Sequence, residues 1–378
     1  MIYLFIGVGL LYLLSLTMLS YGFRKLPVFT KELLPEKTEF SIVIPFRNEA
    51  ENLQSLLESL QKIKYPPHLF EVIFVDDASE DNSIKTINKS LRKNINFKNF
   101  RIIKNERYSA SPKKDAITAA IAVSKHEWIL TTDADCILPS TWLKAYDSFI
   151  QTNRTSLIAG PILYKSNESI VAQFQKFDGL SLQLVTIGSF GLLTPILCNG
   201  ANLAYRKEAF YSVQGFAHNN HIASGDDIFI LEKILKITPK EVHFIKSNEA
   251  IVETLPQSSW TDLIDQRVRW TSKTSKQKSS FSKSLGFLVF LTNFMILVGL
   301  IYCIIRPAFS SYYLWFLVAK VSMDFYVIKM SNTFYKSKIN IVPFLLSAFS
   351  YPIVTVIVVL GSLRGTYSWK GRKFEKRP

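Results

Sequence analysis

The sequence predicts an α/β domain with a mostly parallel sheet, flanked by membrane-spanning helices. Between residues 40 and 255, short apolar runs typical of buried strands alternate with segments of helical spacing. Such alternation indicates a parallel sheet with right-handed crossovers. Outside this region, one apolar run begins the chain and three more lie between residues 285 and 363.

Composition narrows the class of protein. The 378 residues are 48% hydrophobic and 20% charged, with a formal net charge of +15, which excludes a disordered, collagen-like or disulfide-stapled chain. The positive excess lies beside the apolar runs, and the α/β region has no basic stripe with interleaved aromatic residues. We therefore predict a lipid bilayer as a partner and no nucleic acid. Three widely spaced cysteines suit a reducing compartment.

The first apolar run, Met1–Phe23, contains no charged residue and is followed by Arg24 and Lys25. About 20 apolar residues suffice to cross a membrane. A cleaved signal peptide would have a basic start, a shorter apolar stretch and a small-residue cleavage site, and none of these is visible. The basic flank predicts that the following domain is cytoplasmic.

The central α/β pattern supplies three strands and two helices. Continuous apolar runs predict strands at Phe40–Pro45, Phe70–Val75 and Trp128–Thr132. Helical spacing of leucines predicts a helix over Glu49–Ile63, and an alanine-rich stretch predicts another over Lys113–Ser124.

Polar side chains follow each predicted strand, where open parallel sheets bind ligands. Asp133 and Asp135 follow the third strand. Acidic loops repel a phosphate unless a divalent cation lies between them, so this pair predicts a Mg²⁺ or Mn²⁺ site that bridges to a diphosphate. Asp76-Asp77 could instead cap a helix that begins near Asp81, and Asp226-Asp227 could cap the helix Ile228–Leu235.

The C-terminal runs are Leu285–Ile305, Ala308–Ile328 and Ile341–Leu363. The middle run carries Lys320 and Asp324, which are four residues apart and can pair on one helix face away from lipid.

Charge at the membrane surface leaves the topology open. The segment 267–283 has six basic residues and no acidic one, and the tail 364–378 has six basic residues and one acidic one. One N-terminal and three C-terminal spans would return this basic tail to the outside, against its charge preference. One apolar run could therefore lie along or re-enter the membrane, and the run with Pro343 and Pro352 is the candidate. The expected organisation is an N-terminal transmembrane helix (1–23), an α/β domain (40–255), an interfacial helix with a basic segment (256–284), a C-terminal transmembrane region of two to three helices (285–363) and a basic tail (364–378).

Six motifs, taken in order, resemble the membrane-bound enzymes of glycosyltransferase family 2. They are SIVIPFRNE (41–49), VDDAS (75–79), TTDADC (131–136), CNGANLAYRKEAF (198–210), SGDD (224–227) and QRVRW (266–270). The resemblance covers roughly residues 40–270, and the flanking apolar runs match the family's layout. It implies the GT-A nucleotide-sugar-binding fold, with its Rossmann-like, mostly parallel sheet.

The resemblance also implies roles for individual residues. Asp133 would contact the ribose or sugar and also belong to the metal site, Asp135 would bind the metal, and Asp227 would be the catalytic base. The residues implied to bind the nucleotide sugar, or to border the sugar and acceptor, are Pro45, Phe46, Asn48, Glu49, Asp76, Asp77, Lys114, Asp133, Asn199, Gly200 and Asn202.

The QxxRW motif implies that Gln266, Arg269 and Trp270 lie on an interfacial helix and close the site around the diphosphate and acceptor. Their spacing places all three on one helix face. A guanidinium can neutralise phosphate charge, and an indole offers an apolar platform for a sugar or lipid. The alternative is a helix that only covers the core, with its basic side on lipid headgroups.

Two residue choices depart from common family patterns. The base motif reads Gly-Asp-Asp where many polymer synthases have Thr-Glu-Asp. The first motif reads Phe46-Arg47 where Tyr or a small residue is frequent, which leaves the nucleotide base preference open.

We therefore expect a metal-dependent, inverting hexosyl- or N-acetylhexosaminyl-transferase, using Mg²⁺ or Mn²⁺. It would move a sugar from a nucleotide sugar, with UDP as the expected nucleotide, to a hydroxyl of a membrane lipid or lipid-linked glycan. The enzyme would be a multi-pass protein of the cell membrane with a cytoplasmic catalytic domain. The alternatives are a processive polysaccharide synthase and a catalytically inactive nucleotide-sugar-binding scaffold.

Overall fold

A computed structural model describes residues 1–92, 99–165, 167–220, 222–274, 276–363, 366–369 and 372–375. The strands are β1 (Phe40–Phe46), β2 (Phe70–Asp76), β3 (Phe100–Lys104), β4 (Trp128–Thr131), β5 (Cys136–Ile137), β6 (Leu157–Ala159), β7 (Ile162–Tyr164), β8 (Leu203–Arg206), β9 (Val242–Phe244), β10 (Val252–Thr254), β11 (Thr366–Trp369) and β12 (Arg372–Glu375). The helices are α1 (Ile2–Lys25), α2 (Leu53–Leu60), α3 (Ser83–Arg92), α4 (Pro112–Val123), α5 (Trp142–Thr152), α6 (Ile170–Gly191), α7 (Lys207–Ser212), α8 (Asp226–Ile237), α9 (Trp260–Thr274), α10 (Ser280–Ile305), α11 (Ser310–Tyr335) and α12 (Ile341–Leu363). The rest of the basic tail lies outside the described residues.

The main sheet has seven strands in the order β3-β2-β1-β4-β8-β6-β9. The neighbours β3-β2, β2-β1, β1-β4 and β6-β9 are parallel, and β8 is antiparallel to both β4 and β6. This confirms the predicted α/β fold with a mostly parallel sheet. A smaller sheet has the order β5-β10-β7, and β11 pairs with β12. The edge strand β3 was not among the predicted strands, because its residues are only half-buried and lack a continuous apolar run.

The core of the α/β part lies between the sheet and the helices that pack on it. The apolar side chains of β1 and β2 are buried, which explains their continuous hydrophobic sequence. Leu56 of α2, Ile87 of α3 and Trp142 of α5 are buried in the same cluster.

The chain forms two compact units. The α/β unit contains residues 27–163 and 198–255, and the apolar-helix unit contains residues 1–26, 164–197 and 256–378. The expected domain 40–255 is continuous in sequence, whereas here residues 164–197 group with the apolar helices. The reason is α6, whose residues Phe174, Phe177 and Leu184 are buried.

Within the apolar-helix unit, α1 crosses α6 at glycines. A side-chain carbon on Gly22 would lie 2.2 Å from the backbone oxygen of Gly188, and one on Gly191 would lie 1.9 Å from the backbone oxygen of Gly22. Any larger residue would force the two helices apart, so glycine is required for this close approach.

Three helices are long and apolar enough to cross a membrane among the described residues: α1, α10 and α12. The middle C-terminal run forms α11, which carries the predicted pair. Lys320 Nζ lies 2.7 Å from Asp324 Oδ2, and the lysine side chain is 2% exposed. Tyr12 of α1 donates to Asp324 Oδ1 at 2.6 Å. The predicted pairing of Lys320 with Asp324 is confirmed.

Candidate active site

The parallel register brings the polar loops to one edge of the sheet. Phe46 at the end of β1 pairs with Asp76 at the end of β2, and β4 runs parallel on the other side of β1. The loops that follow these three strands therefore leave the same edge, as the sequence predicted.

Arg47 and Asn48 fasten the first loop to the second. The buried guanidinium of Arg47 donates to the backbone oxygen of Asp77 at 2.9 Å and to Glu80 Oε1 at 2.8 Å. Asn48 has a positive φ of 51°, its backbone N–H donates to Ser79 Oγ, and its side-chain oxygen accepts from the N–H of Glu80. These polar atoms hold the wall of the predicted nucleoside pocket in shape.

Asp76 and Asp77 have different local partners. Asp76 Oδ1 accepts from the backbone N–H of Ser79 at 3.0 Å and closes the turn. Asp77 Oδ1 accepts from Arg107 Nε at 2.7 Å and from Asn105 Nδ2 at 2.8 Å. Neither aspartate caps α3 in these contacts, whereas Asp81 Oδ1 accepts from the N–H of Ser83 at the start of that helix.

Two carboxylates converge on the ammonium of Lys113. Its Nζ lies 2.7 Å from Asp133 Oδ1, beyond β4, and 3.2 Å from Asp226 Oδ2, in the first turn of α8. Burial lowers the pKa of Lys113, but the charges of Asp133 and Asp226 outweigh burial and raise that pKa above its ordinary value. A side-chain carbon on Gly200 would lie 2.7 Å from Asp226 Oδ2, so glycine keeps this acidic cluster open.

Asp135 and Asp227 extend the acidic cluster of Asp133 and Asp226. Asp135 follows Asp133 with one buried residue between them. Burial, together with the charges of Asp135 and Asp133, raises the pKa of the Cys136 thiol well above its ordinary value. Asp227 lies in the first turn of α8, where its Oδ1 accepts from the N–H of Ile228 at 2.8 Å. The carboxylates thus form an alternating Asp-x-Asp pair after β4 and an adjacent pair at the start of α8.

Other predicted ligand residues point into the fold. Lys114 is buried and donates to the backbone oxygens of Asn219 and Ile222 at 2.7 and 2.8 Å. It is Lys113, which the sequence analysis did not single out, that reaches the acidic cluster. Two adjacent lysines in the first turn of α4 were the available signal, but sequence alone does not tell which of them faces the strand ends.

Asn202 is fully buried and uses both ends of its amide inside the core. Its oxygen accepts from Trp142 Nε1 at 2.9 Å and from the Tyr146 hydroxyl at 2.8 Å, and its nitrogen donates to the backbone oxygens of Pro161 and Ala250, each at 2.9 Å. These contacts make Asn202 a structural residue. Asn199, by contrast, uses its side-chain oxygen to accept from the N–H of Ala201 at the turn beside Gly200.

The donor set fits a divalent cation that is completed by phosphate oxygens. No group of three or more His, Cys, Asp or Glu side chains that could hold a metal occurs in the part of the chain that the structure describes. Asp133 and Asp226 nevertheless already hold a cation, the Lys113 ammonium. Mg²⁺ sites in nucleotide enzymes commonly use only one or two carboxylates together with substrate phosphates.

Gln266, Arg269 and Trp270 lie on α9 in the apolar-helix unit, on a helix as expected. The neighbouring Arg267 donates from Nη1 to Gln266 Oε1 at 2.5 Å, and its guanidinium lies 4.3 Å from the ring centre of Trp270. The sequence analysis counted Arg267 only as one of the basic residues near the membrane.

Comparison with known proteins agrees with these motifs. A family model described as Glycosyl transferase family 2 matches residues 41–213, and one described as Glycosyl transferase family group 2 matches residues 128–361. The mannosyltransferase PcManGT from Pyrobaculum calidifontis, solved with GDP-Man and Mn²⁺, has a TM-score of 0.55 at 14% identity, over 95% of both chains. This likeness confirms the expected GT-A fold.

Curated relatives match shorter stretches. Poly(ribitol-phosphate) beta-glucosyltransferase of Bacillus spizizenii is 30% identical over 33% of this chain and 19% of its own length. Glycosyltransferase AglE of Haloferax volcanii is 25% identical over 50% of this chain and 58% of its own. Undecaprenyl-phosphate 4-deoxy-4-formamido-L-arabinose transferase of Proteus mirabilis is 35% identical over 25% of this chain and 28% of its own. In each case the match covers less than two thirds of the relative.

Proposed function

This chain belongs to glycosyltransferase family 2, and from that premise we propose that it transfers one sugar from a nucleoside diphosphate sugar to a hydroxyl group of a membrane lipid or lipid-linked glycan. The observation that carries the proposal is the arrangement of carboxylates around Lys113 at the carboxyl edge of the sheet. One set suits a cation and a diphosphate, and the other lies at the start of α8, where a base is expected.

The proposed reaction is a single displacement with inversion. Asp227 removes the proton from the acceptor hydroxyl, whose oxygen forms a bond to the anomeric carbon while the bond from that carbon to the diphosphate breaks. Asp133 and Asp135 would hold Mg²⁺ or Mn²⁺, which when bound supplies positive charge to the leaving diphosphate. Lys113 adds a second positive charge beside Asp133. Gln266, Arg269 and Trp270 remain predicted contacts of the diphosphate and acceptor.

A lipid acceptor is supported by the apolar helices and by the names of relatives. Helices α1, α10 and α12 are apolar enough to cross a membrane, so the chain can reach substrates embedded there. One relative is named for undecaprenyl-phosphate, which is a lipid, and another for poly(ribitol-phosphate), which is a polymer. The basic residues that end α1, Arg24 and Lys25, favour a cytoplasmic position for the residues that follow.

We further propose that α1, α10 and α12 cross the membrane and that α11 does not. Among the described residues the first three helices are long and apolar enough to span a bilayer, so the run with Pro343 and Pro352 is not the exception that the sequence suggested. Helix α11 instead carries the buried pair Lys320–Asp324. Three crossings keep the basic tail on the side of Arg24, in agreement with its charge.

A topology reporter tests this arrangement. Green fluorescent protein fused after the last residue should fluoresce, and alkaline phosphatase fused there should be inactive, because the tail is cytoplasmic. The opposite pattern would show an even number of crossings and would refute this arrangement.

The function is tested by purifying the protein in detergent with Mg²⁺ or Mn²⁺ and screening UDP- and GDP-sugars for release of nucleoside diphosphate, with and without a membrane lipid extract. Release that needs both metal and lipid, and that Asp135→Ala abolishes, supports the proposal and identifies the donor. Mass spectrometry of the product separates a single addition from a polymer. Donor binding without release under any condition would favour the inactive scaffold.

A further inference from the structure

The apolar-helix unit contains a buried ion pair between α6 and α9. Arg267 donates from Nε to Asp178 Oδ2 at 2.8 Å, and its Nη2 lies 2.7 Å from the same oxygen. The two side chains are 10% and 6% exposed. Burying two charges is costly, and replacing such a pair with apolar residues is often neutral or stabilising. Stability alone therefore does not explain this pair.

The same guanidinium contacts two residues of the QxxRW motif. Its Nη1 donates to Gln266 Oε1 at 2.5 Å. Since a guanidinium offers only donors, this contact requires the amide oxygen of Gln266 to face Arg267 and turns the amide N–H groups the other way. The guanidinium also lies 4.3 Å from the ring centre of Trp270, a cation–π contact that holds one face of the indole.

Other contacts also hold α9 against α6. Gln175 of α6 exchanges two hydrogen bonds, of 2.8 and 2.9 Å, with the backbone of Gln257 just before α9. The rings of Phe174 and Trp260 pack edge to face at 5.2 Å. These contacts hold the start of α9 against α6 without the ion pair. The ion pair therefore orients the later part of the helix, which carries the motif.

We propose that Asp178 and Arg267 are positioning residues, which hold Gln266 and Trp270 in the orientation that sugar transfer requires. The inference rests on the proposed function, because it takes Gln266 and Trp270 as contacts of the reacting substrates. Asp178 fixes the guanidinium, and the guanidinium in turn fixes the glutamine amide and the indole.

The test uses the double variant Asp178→Leu/Arg267→Met, which removes both charges and leaves no buried charge unpaired. It should fold, as judged by thermal unfolding, while kcat falls about 10- to 100-fold, the usual cost of losing residues that orient functional side chains. The matched control is Lys320→Met/Asp324→Leu, which removes a buried acid–base pair from the same unit without touching α9. It should keep the wild-type kcat. Equal kcat values for the two double variants would overturn the proposal.

A mutant cycle separates positioning from general packing. The loss of kcat caused by Arg267→Met should shrink strongly in a Gln266→Ala background, because the residue through which it acts is already gone. An undiminished loss in that background would assign Arg267 a purely structural role.

One readout does not need activity. Acrylamide quenches the fluorescence of exposed tryptophans. The quenching of Trp270 fluorescence is obtained as the difference between each protein and its Trp270→Phe counterpart. This quenching should rise in Asp178→Leu/Arg267→Met and stay unchanged in the Lys320/Asp324 control. If wild type transfers no sugar but the quenching rises as expected, the proposed function fails while the positioning contact stands. Unchanged quenching refutes the positioning contact, whether or not the protein is active.

Discussion

Replacing Lys113 with methionine should destabilise the α/β unit and make its stability depend on a divalent cation. The ammonium lies 2.7 Å from Asp133 Oδ1 and 3.2 Å from Asp226 Oδ2. Methionine keeps most of the length of the side chain but removes its charge, so the two carboxylates would lose the ammonium that pairs with both. A divalent cation bound at Asp133 would then supply the positive charge that the ammonium gave.

The expected loss in the free energy of unfolding follows from how exposed each carboxylate is. A hydrogen bond to a charged group contributes about 1.5–3 kcal/mol, and the contact with Asp226 belongs in this range because that side chain is 11% exposed. The contact with Asp133 is discounted to below about 1 kcal/mol, since that side chain is 36% exposed and solvent screens it. A total loss of about 2–3 kcal/mol corresponds to a Tm lower by about 5–10 °C for a unit of this size.

Thermal unfolding in detergent, with and without Mn²⁺, is the assay. At a Mn²⁺ concentration about 100 times its Kd, binding adds about 2.7 kcal/mol, which is enough to offset the loss in Lys113→Met. Wild type should respond less, because the ammonium already neutralises part of the charge of Asp133. The matched control, Lys114→Met, should also unfold at a lower temperature, because the backbone oxygens of Asn219 and Ile222 lose their donor, but Mn²⁺ should not rescue it. Equal Mn²⁺ responses in the two variants would refute the proposed cation site at Asp133 and Asp135.

Three further predictions concern single residues. Asp227→Asn should lower kcat about 10²–10⁴-fold, the usual contribution of a general base, and leave the Kd of the donor nearly unchanged; loss of donor binding by calorimetry would move Asp227 to the cation site. Asn202→Leu leaves Trp142 Nε1 and the Tyr146 hydroxyl without their acceptor, at about 1–3 kcal/mol each, so thermal unfolding should shift strongly downwards, and an unchanged Tm would contradict its structural role. Burial lowers the pKa of Lys246 to about 8 from 10.5, so the unfolded chain binds more protons between these values and the wild-type stability rises across that window. Lys246→Met should therefore have a higher Tm than wild type near neutral pH, and the difference should vanish as the pH approaches 10.5.

The sequence by itself determined the class of fold and the positions of its acidic loops. Short continuous apolar runs are typical of central strands that are buried on both faces, and β1, β2 and β4 were predicted to within one residue at each end. The pair Lys320–Asp324 could also be predicted from the sequence, because spacing on a helix fixes which residues share a face.

Only the tertiary structure decided which polar residues face the site and which serve the core. Lys113 and Lys114 are adjacent in sequence, yet one reaches Asp133 and the other is buried against backbone oxygens. Asn202 looked like a sugar contact but satisfies every polar atom of its amide inside the fold. The placement of α6 beside the apolar helices, and the contact of Asp178 with Arg267, bring together residues 89 positions apart. Such facts depend on long-range packing and on the rotation of each helix about its axis, which local sequence patterns do not specify.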